Sequence, residues 1–362
     1  VNADRRIQAL RRRLHDENTD AFMVGEPANL SYLTGFEGLF DDERAHVALI
    51  TDDSLVLFTD GRYAEVARAA ADATSWEVRV PSTRVLAAGC DEVKSLSTGA
   101  LAMEDSLPHR WFVLATDRLG SMPAPAKEWV EDIRQIKEAA EIERIAAAQE
   151  LTDRTFVYVL GILRAGMSER EVALELEFFM RREGSEGVAF PPIVASGPNS
   201  SRPHAKVTDR VIESGDFVKM DFGARVSGYC ADMTRTVVVG RASDRQREIY
   251  DAVLAANLAA IEAVRPGMTG KQIDGVGRAV IAERGLGELF THGIGHGVGL
   301  EVHELPRVGP TGSSAVREGS TITIEPGVYE PGVGGVRIED LLVVEGGGAR
   351  VLTRSTKGLI EI

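Results

Sequence analysis

Apolar residues recur along this chain in two rhythms, one helical and one strand-like. Over residues 3–18, Ile7, Leu10 and Leu14 fall at helical spacing with arginines between them, which predicts an amphipathic helix. AFMVG (21–25), HVALI (46–50) and SLVLFT (54–59) are short apolar runs bounded by Asp, Gly and Pro, the pattern of buried strands. RYAEVARAAADA (62–73) reads as a helix and WEVRV (76–80) as a further strand. Strands alternating with helices in this way predict an α/β unit. Its histidines, His15, His46 and His109, are scattered and form no catalytic constellation.

The Pro-rich stretch SMPAPAKEW (121–129) punctuates the pattern and predicts a boundary, with one domain over 1–125 and a second over 126–362. A long charged helix is expected to open the second domain over 132–164, with Ile133, Ile136, Ile142 and Ile145 near one stripe. The rest of this half echoes itself. GMSEREVALELEFFMRREG (166–184) aligns without gaps to GMTGKQIDGVGRAVIAERG (267–285). Each copy opens with a capping box, Ser168 with Glu171 and Thr269 with Gln272, and each closes on a Gly that could cap the helix. GDFVKMDFG (215–223) then matches GSTITIEPG (319–327), laying Asp221 on Glu325. CADMTRTVVV (230–239) lies over RIEDLLVV (337–344), laying Asp232 near Glu339. A period near 100 residues is too long for a solenoid. It predicts two copies of a helix-plus-sheet unit about a pseudo-twofold, each giving two carboxylates to the seam.

Composition changes the picture mainly by exclusion. At 362 residues, two domains are the default. A formal charge of −14 argues against nucleic acid or an anionic membrane as partner. Two cysteines are too few for a disulfide framework or a thiolate zinc site, and a cytoplasmic setting is expected. The basic opening has no apolar core behind it, so no signal peptide is expected, and no apolar run is long enough to span a membrane.

The candidate chemistry centres on THGIGHGVGLEVHELP (291–306), which holds three of the seven histidines with glycines at 293, 295, 297 and 299. Asp221 and Asp232 precede it, and Glu325 and Glu339 follow, all inside apolar, β-rich runs. Four carboxylates buried together would repel and be costly to desolvate. Two divalent cations would neutralise them, with one imidazole from the Gly-rich stretch completing an oxygen-rich set. Such donors favour Mn²⁺, Co²⁺ or Fe²⁺, with Zn²⁺ also accommodated. A cocatalytic pair lowers the pKa of a water and polarises a carbonyl, which points to amide hydrolysis without a covalent intermediate. The zinc-peptidase pattern HExxH is absent, since ELPR follows His303.

With these motifs the second half resembles the pita-bread metallopeptidases: aminopeptidase P, prolidase and methionine aminopeptidase. NLSYLTGF (29–36) and LFTDGRY (57–63) resemble the creatinase/prolidase-type N-terminal domain. The resemblance implies an N-terminal creatinase/prolidase-type α/β domain followed by a C-terminal pseudo-twofold pita-bread α+β domain. It implies that Asp221 binds one metal, that Asp232 and Glu339 bridge both, and that His296 and Glu325 complete the other shell. Glu325 would also be general base. His204 and His303 match the two histidines near the scissile bond, His292 an accessory histidine, and Arg337 an arginine holding a ligand carboxylate. Tyr229 is a further candidate near the site. Arg307 matches an arginine that would clasp the free carboxylate of a dipeptide.

Methionine aminopeptidases lack the N-terminal half, and creatinases lack the full metal set. The expectation is therefore a two-metal exopeptidase cutting Xaa-Pro bonds in small peptides, as a homodimer, most plausibly with Mn²⁺. Arg307 tilts the choice to Xaa-Pro dipeptidase (prolidase) over Xaa-Pro aminopeptidase. A non-catalytic peptide-binding protein on the same fold is the reading from another class.

Overall fold

The computed structural model describes residues 3–41, 43–96 and 100–362. The chain divides between Arg134 and Gln135 into two compact units. In the first, the alternation read from the sequence becomes α1 (Ala3–Asp16), β1 (Ala21–Val24), α2 (Pro27–Thr34), β2 (His46–Thr51), β3 (Leu55–Thr59), α3 (Ala64–Ala71) and β4 (Glu77–Arg79). It continues with α4 (Val85–Ser95), β5 (Leu101–Glu104), α5 (His109–Leu119), β6 (Ala124–Ala126) and α6 (Trp129–Arg134). The six strands form one mixed sheet in the order β4-β3-β2-β1-β5-β6. Thus the Pro-rich stretch is not a bare linker: it supplies the edge strand β6, where Pro125 is tolerated because only one side of the strand is paired.

The single helix expected over 132–164 is broken. It ends as α6 at Arg134 and restarts as α7 (Ala139–Leu160). The break has a local cause. Glu138 is extended (φ −72°, ψ 159°) and forms a capping box with Glu141, while Lys137 donates its backbone N–H to Gly319 O at 3.0 Å. Lys137 also sends its ammonium to Glu304 at 3.0 Å, both side chains buried. These bonds outside the helix replace the i→i−4 bonds that would have continued it.

The second unit realises the echo. After α7 come α8 (Glu169–Arg182), β7 (Gly187–Val188), β8 (Ile193–Ser196), β9 (Phe217–Phe222), β10 (Ala224–Val226), β11 (Tyr229–Cys230) and β12 (Met233–Val238). The second copy holds α9 (Asp244–Ala263), α10 (Gly270–Glu283), β13 (Gly295–Gly297), β14 (Glu304–Val308), β15 (Thr321–Ile324) and β16 (Gly327–Glu330). It closes with β17 (Gly334–Arg337), β18 (Asp340–Glu345) and β19 (Gly348–Val351). Helices α8 and α10 are each 14 residues long and carry complete capping boxes, Ser168 with Glu171 and Thr269 with Gln272. Each cap satisfies two amides that the helix start leaves free, for about 1 kcal/mol. Even the isolated bridges repeat: Ser168 pairs with Val211, and Thr269 with Ala315. In the first copy β9 pairs antiparallel with β12, and in the second β15 pairs antiparallel with β18. Apolar side chains of β9, β12 and α8 fill one core, and those of α9, α10, β15 and β18 fill another. No helix among the described residues is long and apolar enough to cross a membrane.

Candidate metal centre

The repeated strand pairs place the acids. In the first copy Asp221 lies in β9 opposite Thr234 of β12, and Asp232 stands just before β12 begins. In the second, Glu325 immediately follows β15 and Glu339 immediately precedes β18. Each hairpin-like pair thus offers one acid at the end of one strand and one at the start of its partner. All four reach a single cavity of about 270 Å³. Asp221, Asp232 and Glu339 are only 7%, 4% and 1% exposed.

The Gly-rich stretch brings the imidazole. His296 is the middle residue of β13, which lies between β14 and β15. A Cβ on Gly295 would come within 2.0 Å of Thr323 O, and one on Gly297 within 2.1 Å of Leu305 O. The glycines are required because both neighbouring strands pass too close for any side chain there. Between them His296 turns Nδ1 to Gly297 O at 3.0 Å, which aims Nε2 at Asp232 Oδ2 (3.5 Å) and Glu325 Oε1 (3.2 Å).

The donor set fits divalent cations. Asp221 Oδ1, Asp232 Oδ1 and Glu339 Oε1 are buried without a hydrogen-bond partner among the described residues. A buried polar atom left in that condition is costly, and three on neighbouring carboxylates call for positive charge. Asp232, His296 and Glu339 each offer a ligand atom within 4.8 Å of the other two. Burial first, and then the charges of the neighbouring acids, hold the Asp232 and Glu339 carboxyls well above the usual range. For Glu325 burial also works upward, but the hydrogen bond and charge of His296, with His292 and Arg337, win and hold it below the usual range. Burial opposes protonation of His296, yet Glu325 and Glu339 push it up to about 9. A cation held here would displace that proton, since imidazole ligates in its neutral form.

Around the acids runs a chain of hydrogen bonds that the sequence reading missed. His292 Nδ1 lies 2.7 Å from Gly293 O and so donates to it, which leaves Nε2 to accept from Tyr329 Oη at 2.8 Å. Burial lowers the His292 pKa and raises that of Tyr329 to about 12, so both stay in the forms this requires. Tyr329 Oη accepts from Arg337 Nη1 at 3.0 Å, and Arg337 Nη2 donates to Asp221 Oδ2. Arg337 Nε reaches Thr234 Oγ1 at 2.9 Å, whose hydroxyl donates to Glu339 Oε2 at 2.7 Å. Arg337 therefore orients Asp221 of one copy directly and Glu339 of the other through Thr234. His292 lines the cavity, but both its nitrogens are engaged, so it steadies this chain of bonds. The only sequence signal for Tyr329 was an aromatic residue four positions after Glu325.

Residues 143–346 match the metallopeptidase family M24, and residues 6–136 match the creatinase/prolidase N-terminal domain. The chain belongs to metallopeptidase family M24. An Xaa-Pro dipeptidase of Pyrococcus horikoshii is 38% identical over 350 residues, 95% of this chain and 96% of the relative. The structure of an Xaa-Pro dipeptidase from Bacillus anthracis superimposes with a TM-score of 0.94 at 38% identity and covers 100% of both chains. An X-Pro aminopeptidase from Thermotoga maritima gives a TM-score of 0.88 at 36% identity, covering 98% of this chain and 99% of its own. The architecture is thus the creatinase-type domain followed by the pita-bread domain, and the family is one that uses divalent metal ions.

In this M24 peptidase the cavity is lined by Asp221, Asp232, His296, Glu325 and Glu339, and also by His204, His292, His303 and Arg337. Phe190, Ile193, Pro203 and Val302 add an apolar wall that sequence reasoning did not single out. Two expected residues lie elsewhere. Tyr229 is buried, with its hydroxyl donating to Glu141 Oε1 at 2.8 Å where β11 packs against α7. Arg307 is exposed on β14 and does not line the cavity, although it stands opposite His296 in the β13–β14 ladder.

Proposed function

We propose that this chain is a two-metal exopeptidase that hydrolyses Xaa-Pro dipeptides. The observation that carries the reading is the convergence of three partnerless buried carboxylate oxygens and the His296 imidazole in one open cavity. Asp221 would hold one cation, Asp232 and Glu339 would bridge, and His296 with Glu325 would complete the second shell. The oxygen-rich donor set favours Mn²⁺. Bound there, two cations would make a water nucleophilic near neutral pH and polarise the scissile carbonyl.

The remaining work falls to the chain's own groups. Glu325, which would ligate only in its ionised form, can take a proton from the attacking water and pass it to the leaving proline nitrogen. His204 and His303 line the same cavity and would donate to the carbonyl oxygen as negative charge develops on it. The apolar wall excludes water from the reacting bond.

Arg307 favours a dipeptide. Directly opposed residues of an antiparallel pair leave the sheet on one face, so Arg307 leaves it on the face of His296, and a planar fork reaching from there could meet a free carboxylate. The likeness to the Thermotoga maritima X-Pro aminopeptidase favours a second reading, removal of the first residue from longer peptides. Hydrolysis of an Xaa-Pro dipeptide and the matching Xaa-Pro-Yaa tripeptide, with Mn²⁺ supplied, decides between them. Faster turnover of the dipeptide is expected; equal or better turnover of the tripeptide would reject the dipeptidase reading.

A further inference from the structure

We propose that Lys219 is a positioning residue for His204, acting through the main-chain carbonyls of the loop that carries it; this rests on His204 facing the substrate. Lys219 is fully buried in β9, two residues before Asp221 and on the same face of the strand. Among the described residues no carboxylate forms an ion pair with its ammonium. Burying one is costly unless every donor is satisfied, and methionine would fill the same space without that cost.

All three donors of the ammonium go to one segment. Lys219 Nζ donates to Ser200 O at 3.1 Å, Arg202 O at 2.6 Å and Pro203 O at 3.2 Å, with the Tyr329 ring 4.8 Å away on another side. Arg337 Nη1 adds a second bond to Pro203 O at 3.1 Å. The stems of the loop are tied separately. Glu169 accepts from Ser196 N and Asn199 on one side and from Thr208 N on the other. The loop also lies flush on β17, where a Cβ at Gly335 would come within 2.3 Å of Ser200 O.

These ties end one peptide before His204. The His204 imidazole lines the cavity and makes no hydrogen bond of its own among the described residues, so the backbone that carries it sets the direction from which the ring enters. Lys219 holds three carbonyls of that backbone, sharing Pro203 O with Arg337. Its loss should let the loop shift, and a displacement of about 1 Å at a catalytic group can cost on the order of 10²-fold in rate.

The test is a double-mutant cycle on the metal-loaded enzyme with an Xaa-Pro dipeptide, comparing Lys219→Met, His204→Ala and both together. We expect Lys219→Met to lower kcat by about 10–100-fold with metal content unchanged. The double variant should then match His204→Ala within about twofold, because two changes acting through one group are not additive. Losses that multiply would overturn the proposal, as would loss of metal on replacing Lys219, which would place its action at Asp221. Hydrogen exchange supplies a second readout: faster exchange over 197–204 with β9 unchanged is expected, and uniform loss of protection across β9 would mean a merely structural role. Should Lys219→Met not fold, Lys219→Gln, which keeps amide donors, goes through the same cycle with the same outcomes. If His204→Ala turns over normally, the reading of His204 fails and this proposal with it; if only the Lys219 variants turn over normally, this proposal alone fails.

Discussion

Glu104 in the N-terminal unit and Glu339 in the C-terminal unit are both carboxylates buried almost completely, and the chain treats them in opposite ways. Glu104 accepts from Gly25 N at 2.7 Å, Glu26 N at 2.9 Å and Asn29 Nδ2 at 2.7 Å, so both its oxygens are used. Two of those donors are amides at the start of α2, a helix end that welcomes an acid. Among the described residues Glu339 has one donor, Thr234, on one oxygen, and its other oxygen has none. Asp221 and Asp232 beside it also carry partnerless oxygens. Burial therefore does not distinguish a structural acid from a metal ligand here. The shortage of protein donors does, because only a cation can then repair the deficit.

The contrast can be broken at several points. Glu339→Gln should have the largest effect: it removes the proposed bridging ligand, so Mn²⁺ uptake and turnover should both fall to background. Measurable turnover with normal metal content would break the comparison. Glu325→Gln should keep the fold, shown by an unchanged circular dichroism spectrum, and lose about 10²–10⁴-fold in kcat as expected for a general base. Near-normal rates would remove Glu325 from that role. Tyr329→Phe takes away the hydroxyl linking His292 to Arg337. A loss of about 10–100-fold in metal affinity or activity is expected, the range typical for partners of ligand residues, and it is read by metal titration.

Glu104→Gln should be the mildest, leaving turnover within about twofold of the parent. Its effect should instead appear in stability against pH. Burial raises the Glu104 pKa from an ordinary 4.5 to about 8, against the pull of its donors. Between those values the folded chain keeps a proton that the unfolded chain has released, so stability falls as pH rises through that window. Glutamine cannot titrate, and the slope of Tm against pH should flatten in the variant. An unchanged slope would show that Glu104 is ionised throughout and that its donors outweigh burial.

Much of this was legible in the chain. The repeat shows because capping boxes are local chemistry: Ser168 with Glu171 and Thr269 with Gln272 need no tertiary context to be read. The four acids show because charge inside apolar strands is anomalous wherever it occurs. What stayed hidden depends on partners distant in sequence. The break at 135–138 comes from Gly319 and Glu304, which meet Lys137 only in the folded unit. Tyr329 gains its role from His292 and Arg337, and Tyr229 is drawn to Glu141 on α7 and away from the cavity. Lys219 did carry a signal, a lysine inside a strand whose other residues apart from Asp221 are apolar, but its three carbonyl partners appear only once the loop closes over it.

The central claim is that five side chains from two copies of one unit share a pair of divalent cations. Calorimetric titration of the chelator-treated chain with Mn²⁺ tests it most directly. Two equivalents per chain are expected, with uptake abolished when Asp232→Asn and Glu339→Gln are combined. No uptake by the parent chain, or uptake undiminished in the double variant, would contradict it.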